Sequence, residues 1–244
     1  MDPSAQDVPT FLRLASHPLR WRMLTELAAS DLRVRELVAL LDQPQNLVSY
    51  HLRMLRNGGL VTATRSSFDG RDSYYHLDLD RCAQALTGAG AALHPALRPS
   101  TPALRRRPRP AVLFVCTGNS ARSPIAEHLL RRHTAGQVTA LSAGIHPKPE
   151  LHADAVRVLR EHFDSDIGRQ RPRRLDTLVG RWFDYVITLC DKAREACPEF
   201  DGQPRRLHWS VADPAAGNYD VFLKTAADID TRVRHLLPVL RHSQ

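Results

Sequence analysis

Long apolar runs are missing from this chain. No stretch of its 244 residues approaches the roughly 18 needed to span a bilayer, so a helical membrane protein is not expected. The opening segment, MDPSAQDVPTF, is acidic and polar, which argues against a secretory signal and for the cytoplasm. Cysteine is scarce: four in a chain of this length cannot frame a disulfide scaffold, and without a signal they are expected to be reduced thiols. Lysine is absent from residues 1–95, where ten arginines balance ten acids. What remains is ordinary globular composition, 43% hydrophobic and 25% charged. The net charge of +8 is not spread evenly, because Arg98, Arg105, Arg106, Arg107 and Arg109 fall together with no acid among them.

Those arginines sit in GAGAALHPALRPSTPALRRRPRP, residues 88–110, which has five prolines, two glycines and no steady apolar period. Most of it reads as a linker. The expected organisation is one domain over residues 1–92, a Pro/Arg-rich linker over 93–110 and a second domain over 111–244. The basic segment reads equally well as a strip that pairs with phosphates or as a solvated, self-repelling linker.

In the first part, Phe11, Leu12, Leu14, Ala15, Leu19, Met23, Leu24 and Leu27 carry helical spacing. DLRVRELVALL predicts a short helix with Asp31 as N-cap. DQPQN is a turn, and LVSYHLRMLRNGGL predicts a second helix stopped by Gly58 and Gly59. VTATRSS and SYYHLDL predict two strands around the FDGRD turn, and DRCAQAL is helical again. This is the order of a winged helix-turn-helix, mainly α with a β-hairpin wing. LASHPLRWRMLTEL, VSYHLRMLRNGGLV and the wing, over about residues 9–90, resemble the arsenic-repressor (ArsR) family of bacterial repressors. The resemblance implies a homodimer built from the first and last helices, and a double-stranded DNA operator read by the second helix of the motif. That helix is expected to bury Leu47, Val48, Leu52 and Leu55. It would turn Gln45, Asn46, Ser49, Tyr50 and Arg53 outward, where Gln and Asn suit adenine and Arg suits guanine or phosphate. Many of the family's arsenic sensors carry a Cys-Val-Cys pair before the turn. Here Arg33 and Arg35 of LRVREL stand there instead, and arginine cannot bind a soft metalloid. Cys82 is one thiol and reads as a lone buried cysteine.

The second part opens with VLFVCTGNSARSPIAE, residues 112–127. A buried strand ends on Cys116, a loop with Gly118 follows, and SPIAEHLLRRH predicts an amphipathic helix. Backbone N–H groups of such a loop, with the helix start, form an anion cradle from Thr117, Gly118, Asn119, Ser120, Ala121 and Arg122. The same field is expected to make Cys116 unusually acidic. Arg122 offers a planar fork to a tetrahedral oxyanion. Ser123 can hydrogen-bond the thiolate, and Asn119 can hold the loop in shape.

This C-x5-R-S arrangement resembles the low-molecular-weight tyrosine phosphatase fold over about residues 111–242. The fold implied is α/β, a small parallel sheet flanked by helices, with a site for phosphate or arsenate. DYVITLC predicts a strand ending on Cys190; Cys197 follows seven residues on, and HWSVADPAAG places Asp213 before Pro214. These segments resemble the thioredoxin-coupled arsenate reductases. The resemblance implies that Cys116 attacks arsenate, that Asp213 is the general acid, and that Cys190 and then Cys197 carry a disulfide outward. An external dithiol such as thioredoxin would reduce it, with no bound cofactor and no catalytic metal. The segment DKAREA must then bend or unwind, because seven helical residues rise about 10 Å and a disulfide allows about 7 Å. Some relatives bind potassium near the loop through an Asn, a Glu, a Ser and an Asp. Asn119, Glu127 and Ser142 match three, while Arg173 stands near the place of the fourth, which puts a cation in doubt.

Two alternatives stay open. One is a tyrosine phosphatase tethered to DNA, although Ala215 and Ala216 supply no aromatic wall. The other is a regulator whose catalytic-like domain only senses an oxyanion or redox state.

Overall fold

The computed structural model describes residues 8–66, 72–94 and 110–242. The linker arginines and most of the FDGRD turn lie outside the described residues. The chain divides into two compact units, one holding the first part of the chain and one the second.

The first unit runs α1 (Thr10–Ala15), α2 (Pro18–Ala29), β1 (Leu32–Arg33), α3 (Val34–Leu41), α4 (Gln45–Asn57), β2 (Val61–Arg65), β3 (Ser73–Leu77) and α5 (Leu79–Leu93). The apolar spacing of residues 11–27 belongs to two helices. His17 stands between them and accepts a hydrogen bond from the Leu19 N–H, and Pro18 starts α2, where its missing donor costs nothing. Asp31 is not the cap of α3. Leu32 and Arg33 stay extended to pair with Tyr75 and Tyr74 of β3, so the helix starts two residues later, capped at Arg33 with Glu36 accepting from the Arg33 N–H at 2.7 Å. The sheet is antiparallel in the order β1-β3-β2, a strand more than the hairpin predicted. Gly59, at φ +71°, lets α4 stop and the chain turn into the wing. α5 extends to Leu93, taking in Gly88 and Gly90 of the stretch with no steady apolar period. Met23, Leu37, Val48, Leu52 and Leu55 form the centre of this unit's core.

The second unit runs β4 (Ala111–Cys116), α6 (Arg122–His133), β5 (Thr139–Gly144), α7 (Ala153–His162), β6 (Tyr185–Thr188), α8 (Asp191–Ala196), β7 (Arg205–His208) and α9 (Tyr219–His242). Its sheet is parallel throughout, in the order β5-β4-β6-β7. β4 is central. Val112, Leu113, Phe114 and Val115 are fully buried because helices cover both faces, as an unbroken apolar strand requires. Burying each such side chain stabilises by about 1.5–3 kcal/mol. α6 is more buried than an amphipathic helix, with every position from Arg122 to Leu130 except His128 withdrawn from solvent. The carboxyl ends of β4 and β6 therefore deliver Cys116 and Cys190 to one edge of the sheet, where α6 begins. Among the described residues no helix is long and apolar enough to cross a membrane.

Candidate oxyanion and thiol site

The loop between β4 and α6 is splinted from outside. Residues 145–152 run along it, and their N–H groups take its carbonyls: Ile145 donates to Cys116, His146 to Thr117, Lys148 to Gly118 and His152 to Ser120, at 2.8–3.2 Å. With four carbonyls held outward, the loop's own amides are left for the inside of the curve, which is the arrangement an anion needs. Gly144 permits this closeness. A Cβ there would lie 2.8 Å from the Thr117 carbonyl oxygen and 2.9 Å from the Asn119 nitrogen. The splint was not read from the sequence; the only signal is the stiff HPKP stretch.

Inside the curve, the Asn119 N–H lies 3.2 Å from Cys116 Sγ, and Ser123 Oγ lies 3.0 Å from it. Asn119 is left-handed, at φ 46°, which Asn tolerates. Its side-chain amide donates to Ser123 Oγ and Ser142 Oγ, both at 2.9 Å. Ser123 thus accepts from Asn119, and its own proton is shared between the sulfur and the Ala143 carbonyl at 3.5 Å.

Burial pushes the Cys116 thiol above its ordinary value. The Arg122 charge and the Ser123 hydroxyl pull it down, and the neighbouring Cys190 pushes it up again. The unusually acidic Cys116 expected from the sequence is therefore corrected: desolvation of a fully enclosed sulfur outweighs its favourable neighbours. Arg122 is itself engaged by two partners. Its Nη2 pairs with Asp213 Oδ2 at 2.9 Å and its Nη1 donates to the Val211 carbonyl at 3.0 Å, so a carboxylate already offsets the guanidinium.

The three matched positions behind the loop do come together. Ser142 donates to Glu127, which pairs with Arg131 at 2.7 Å and accepts from Gln170 Nε2 at 3.1 Å. Arg173 enters the same place: its N–H donates to Asn119 Oδ1 at 2.7 Å and its Nη1 to the Ser142 carbonyl at 2.8 Å. Gln170 was missed in the sequence, since nothing local marks it. Among the described residues no group of three or more His, Cys, Asp or Glu gathers as for a metal ion.

Cys190 is buried beside the loop, with its Sγ 3.2 Å from Thr117 Oγ1. It is the N-cap of α8, and Cys197 is the C-cap. The two thiols thus flank a helix of six residues, about 9 Å of rise. All four cysteines are free, and Cys82 is buried with its thiol pushed up to about 11 by burial and by Asp78. At the start of α8, Asp191 accepts from Ser210 at 3.0 Å and lies 3.3 Å from His208 Nε2, whose other nitrogen meets Thr188 at 2.9 Å. This anchor was also missed, because its members are scattered over residues 188–210. Asp213 caps the turn at Pro214 by accepting from the Ala215 N–H at 3.2 Å, and it is exposed on its far side.

In the first unit, α4 turns Gln45, Asn46, Tyr50 and Arg53 to solvent, with Ser49 half-buried between them. Leu47 is corrected: it is exposed, and His51 takes the buried position because the helix face turns toward His17 of α2, with ring centroids 4.5 Å apart. Arg33 pairs with Glu36 at 3.0 Å and Asp72 at 3.6 Å, and Arg35 pairs with Asp72 at 3.3 Å.

A parallel sheet that ends its central strand on a cysteine inside such a loop, in a chain that also holds a separate winged helix, defines a class: a phosphatase-type oxyanion domain fused to a helix-turn-helix. The comparisons agree. The chain belongs to the low molecular weight phosphotyrosine protein phosphatase family over residues 111–244, and residues 17–63 match the bacterial regulatory protein arsR family. Over 123 residues it is 32% identical to arsenate reductase 1 of Bacillus cereus (strain ATCC 10987 / NRS 248), covering 50% of this chain and 90% of that protein. It is 31% identical over 123 residues to the arsenate reductase of Brevibacillus brevis, with the same coverage. Among solved structures, an arsenate reductase from Archaeoglobus fulgidus is 28% identical with a TM-score of 0.46, covering 52% of this chain and 98% of that one. A low molecular weight protein tyrosine phosphatase from T. tengcongensis is 27% identical with a TM-score of 0.46, covering 53% and 99%.

Proposed function

We propose that the chain is an arsenic-responsive regulator whose second domain reduces arsenate to arsenite by a cysteine relay. The observation that carries this is the thiol series: Cys116 in the loop, Cys190 beside it at Thr117, and Cys197 across a six-residue helix. Hydrolysis of a phosphate ester needs the first thiol alone. The names of the curated relatives favour the same choice.

Arsenate enters the loop and takes over the Arg122 fork. The Cys116 thiolate bonds to arsenic, and an oxygen leaves as water with a proton from Asp213. Cys190, as thiolate, then attacks Cys116 Sγ. The sulfur–arsenic bond breaks, its electron pair stays with arsenic, and arsenite departs from a Cys116–Cys190 disulfide. Cys197 attacks Cys190, releases Cys116 and carries the disulfide outward, where an external dithiol of the thioredoxin kind reduces it. In the first domain, Gln45, Asn46, Ser49, Tyr50 and Arg53 face the major groove of an operator, with two copies of the winged unit on the two half-sites.

Arsenate reduction coupled to NADPH through thioredoxin and its reductase tests the catalytic half, with mycothiol and glutaredoxin systems for comparison. Turnover that stops in Cys190→Ser supports the relay. A Cys190→Ser protein that still hydrolyses para-nitrophenyl phosphate, in a chain that never reduces arsenate, makes it a phosphatase instead.

A further inference from the structure

Cys197 has a demanding position for a nucleophile. It sits at the carboxyl end of α8, where helix carbonyls disfavour negative charge. Pro198 follows it, and a residue before proline is held extended; Cys197 is at φ −74° and ψ 120°. The thiol is therefore fixed just outside the helix, against the edge strand β7. There Arg206 meets the backbone of Cys197. Arg206 Nη2 donates to the Cys197 carbonyl at 3.0 Å, and Nη1 donates to Glu199 Oε1 at 2.6 Å. Glu199 is two residues past the cysteine, so the loop that carries the thiol grips the guanidinium from both ends.

We propose that Arg206 is a positioning residue for the outgoing thiol exchange, its guanidinium holding the Cys197 sulfur at the β7 edge as the attacking thiolate. The purpose rests on the relay described above; the coupling between Arg206 and Cys197 does not. Burial pushes the Cys197 thiol up, Arg206 pulls it down by its charge and by a hydrogen bond, and Glu199 adds a smaller push up. In the exchange Cys197 gives its proton to solvent. Its sulfur electron pair forms the bond to Cys190 Sγ, the Cys190–Cys116 bond breaks, and Cys116 leaves as thiolate. No net electrons enter until the external dithiol reduces the Cys190–Cys197 bond.

Arg206 is well placed for this because it belongs to the sheet and not to α8. When α8 unwinds, a cation on the helix would move with it. A cation on β7 stays at the edge, and its long side chain follows the sulfur inward.

The test uses the full chain carrying Cys116→Ser and Cys190→Ser, so that Cys197 and the buried Cys82 are the remaining thiols. Iodoacetamide alkylation of Cys197 is followed against pH by peptide mass spectrometry. Arg206→Gln is expected to slow it about tenfold at neutral pH, because a thiol without its cation holds roughly a tenth as much thiolate there. Arg206→Lys is expected to recover most of that loss. An unchanged circular dichroism spectrum and melting transition of the same samples report that the second unit stays folded. Superimposable profiles for the parent and Arg206→Gln overturn the proposal, as does a slowing that lysine does not rescue. With all cysteines present, Arg206→Gln is expected to accumulate the Cys116–Cys190 disulfide after one turnover with arsenate. Slower alkylation in Arg206→Gln, beside a parent chain that reduces no arsenate, refutes the relay and leaves the Arg206 coupling standing.

Discussion

Arg122, the cation beside Cys116, is itself engaged by one residue far along the chain. Asp213 pairs with Arg122 at 2.9 Å and weakens the pull of the guanidinium on the sulfur. Asp213→Asn is expected to speed iodoacetamide alkylation of Cys116 several-fold at neutral pH, because the thiolate regains an uncompensated cation. The same variant is expected to lose roughly 100-fold or more in arsenate turnover, because the proposed general acid is gone. Faster alkylation with unchanged turnover would remove Asp213 from the chemistry. Behind the loop, Arg173 donates to Asn119 and to the Ser142 carbonyl. Turnover is therefore expected to be the same in potassium and sodium buffers. Arg173→Ala is expected to raise the KM for arsenate roughly tenfold, the cost of one charged hydrogen bond. Steady-state kinetics in the two salts checks both statements.

Among the elements, α8 has to be weak to work. Six residues are fewer than an isolated helix needs, and anchors at both ends, Asp191 with Ser210 and the Cys197 carbonyl with Arg206, make up for its length. Lys192 is exposed within it, so Lys192→Gly weakens the helix by about 0.5–1 kcal/mol without opening the core. Formation of the Cys190–Cys197 disulfide under mild oxidant is expected to quicken about two- to fivefold, measured by disulfide mapping over time; no change would mean the helix is not the barrier. In α4, burial, His17 and Arg20 all hold the His51 imidazole below its ordinary value. The unfolded chain takes up that proton first as pH falls. The stability His51 contributes is thus complete above about 6.5 and declines below it until the folded ring titrates. His128 of α6 carries the same sign from its own burial, so the comparison must be between variants. His51→Gln is expected to flatten the fall of Tm from about pH 7 to about pH 5, read by calorimetry.

At the scale of the whole molecule, the two halves are joined by a segment outside the described residues, and their coupling is a question of binding energies. Arg33 and Arg35 are engaged with Glu36 and Asp72 at the helix that holds thiols in many arsenic sensors of the resembled family. Arsenite is therefore expected to leave operator affinity unchanged in a chain with Cys116, Cys190 and Cys197 replaced by serine. Fluorescence anisotropy with a labelled operator measures it, and release of DNA in that variant would place a sensor in the winged unit after all. Any response of the parent chain to arsenate or oxidation is then the work of the relay thiols.

The sequence by itself determined most of the frame, because its signals are local. An apolar run ending on Cys116, a glycine loop, and Arg122 and Ser123 at a helix start can form one arrangement only within a strand-loop-helix. The wing and the glycine stop of α4 are likewise written in consecutive residues. The tertiary structure decided what depends on distant partners. Asp31 lost the cap of α3 because β3 drew Leu32 and Arg33 into the sheet. Leu47 is exposed and His51 is covered because His17, the cap of α2, and not periodicity, decides which side of α4 is buried. The splint of residues 145–152 shows only as the stiff HPKP stretch, and the entry of Gln170 behind the loop and the grip of Arg206 on the Cys197 carbonyl have no local pattern at all. Even the acidity of Cys116 turned on burial and on the distant Cys190, and a sum over the whole surroundings of a sulfur is not legible in the sixteen residues around it.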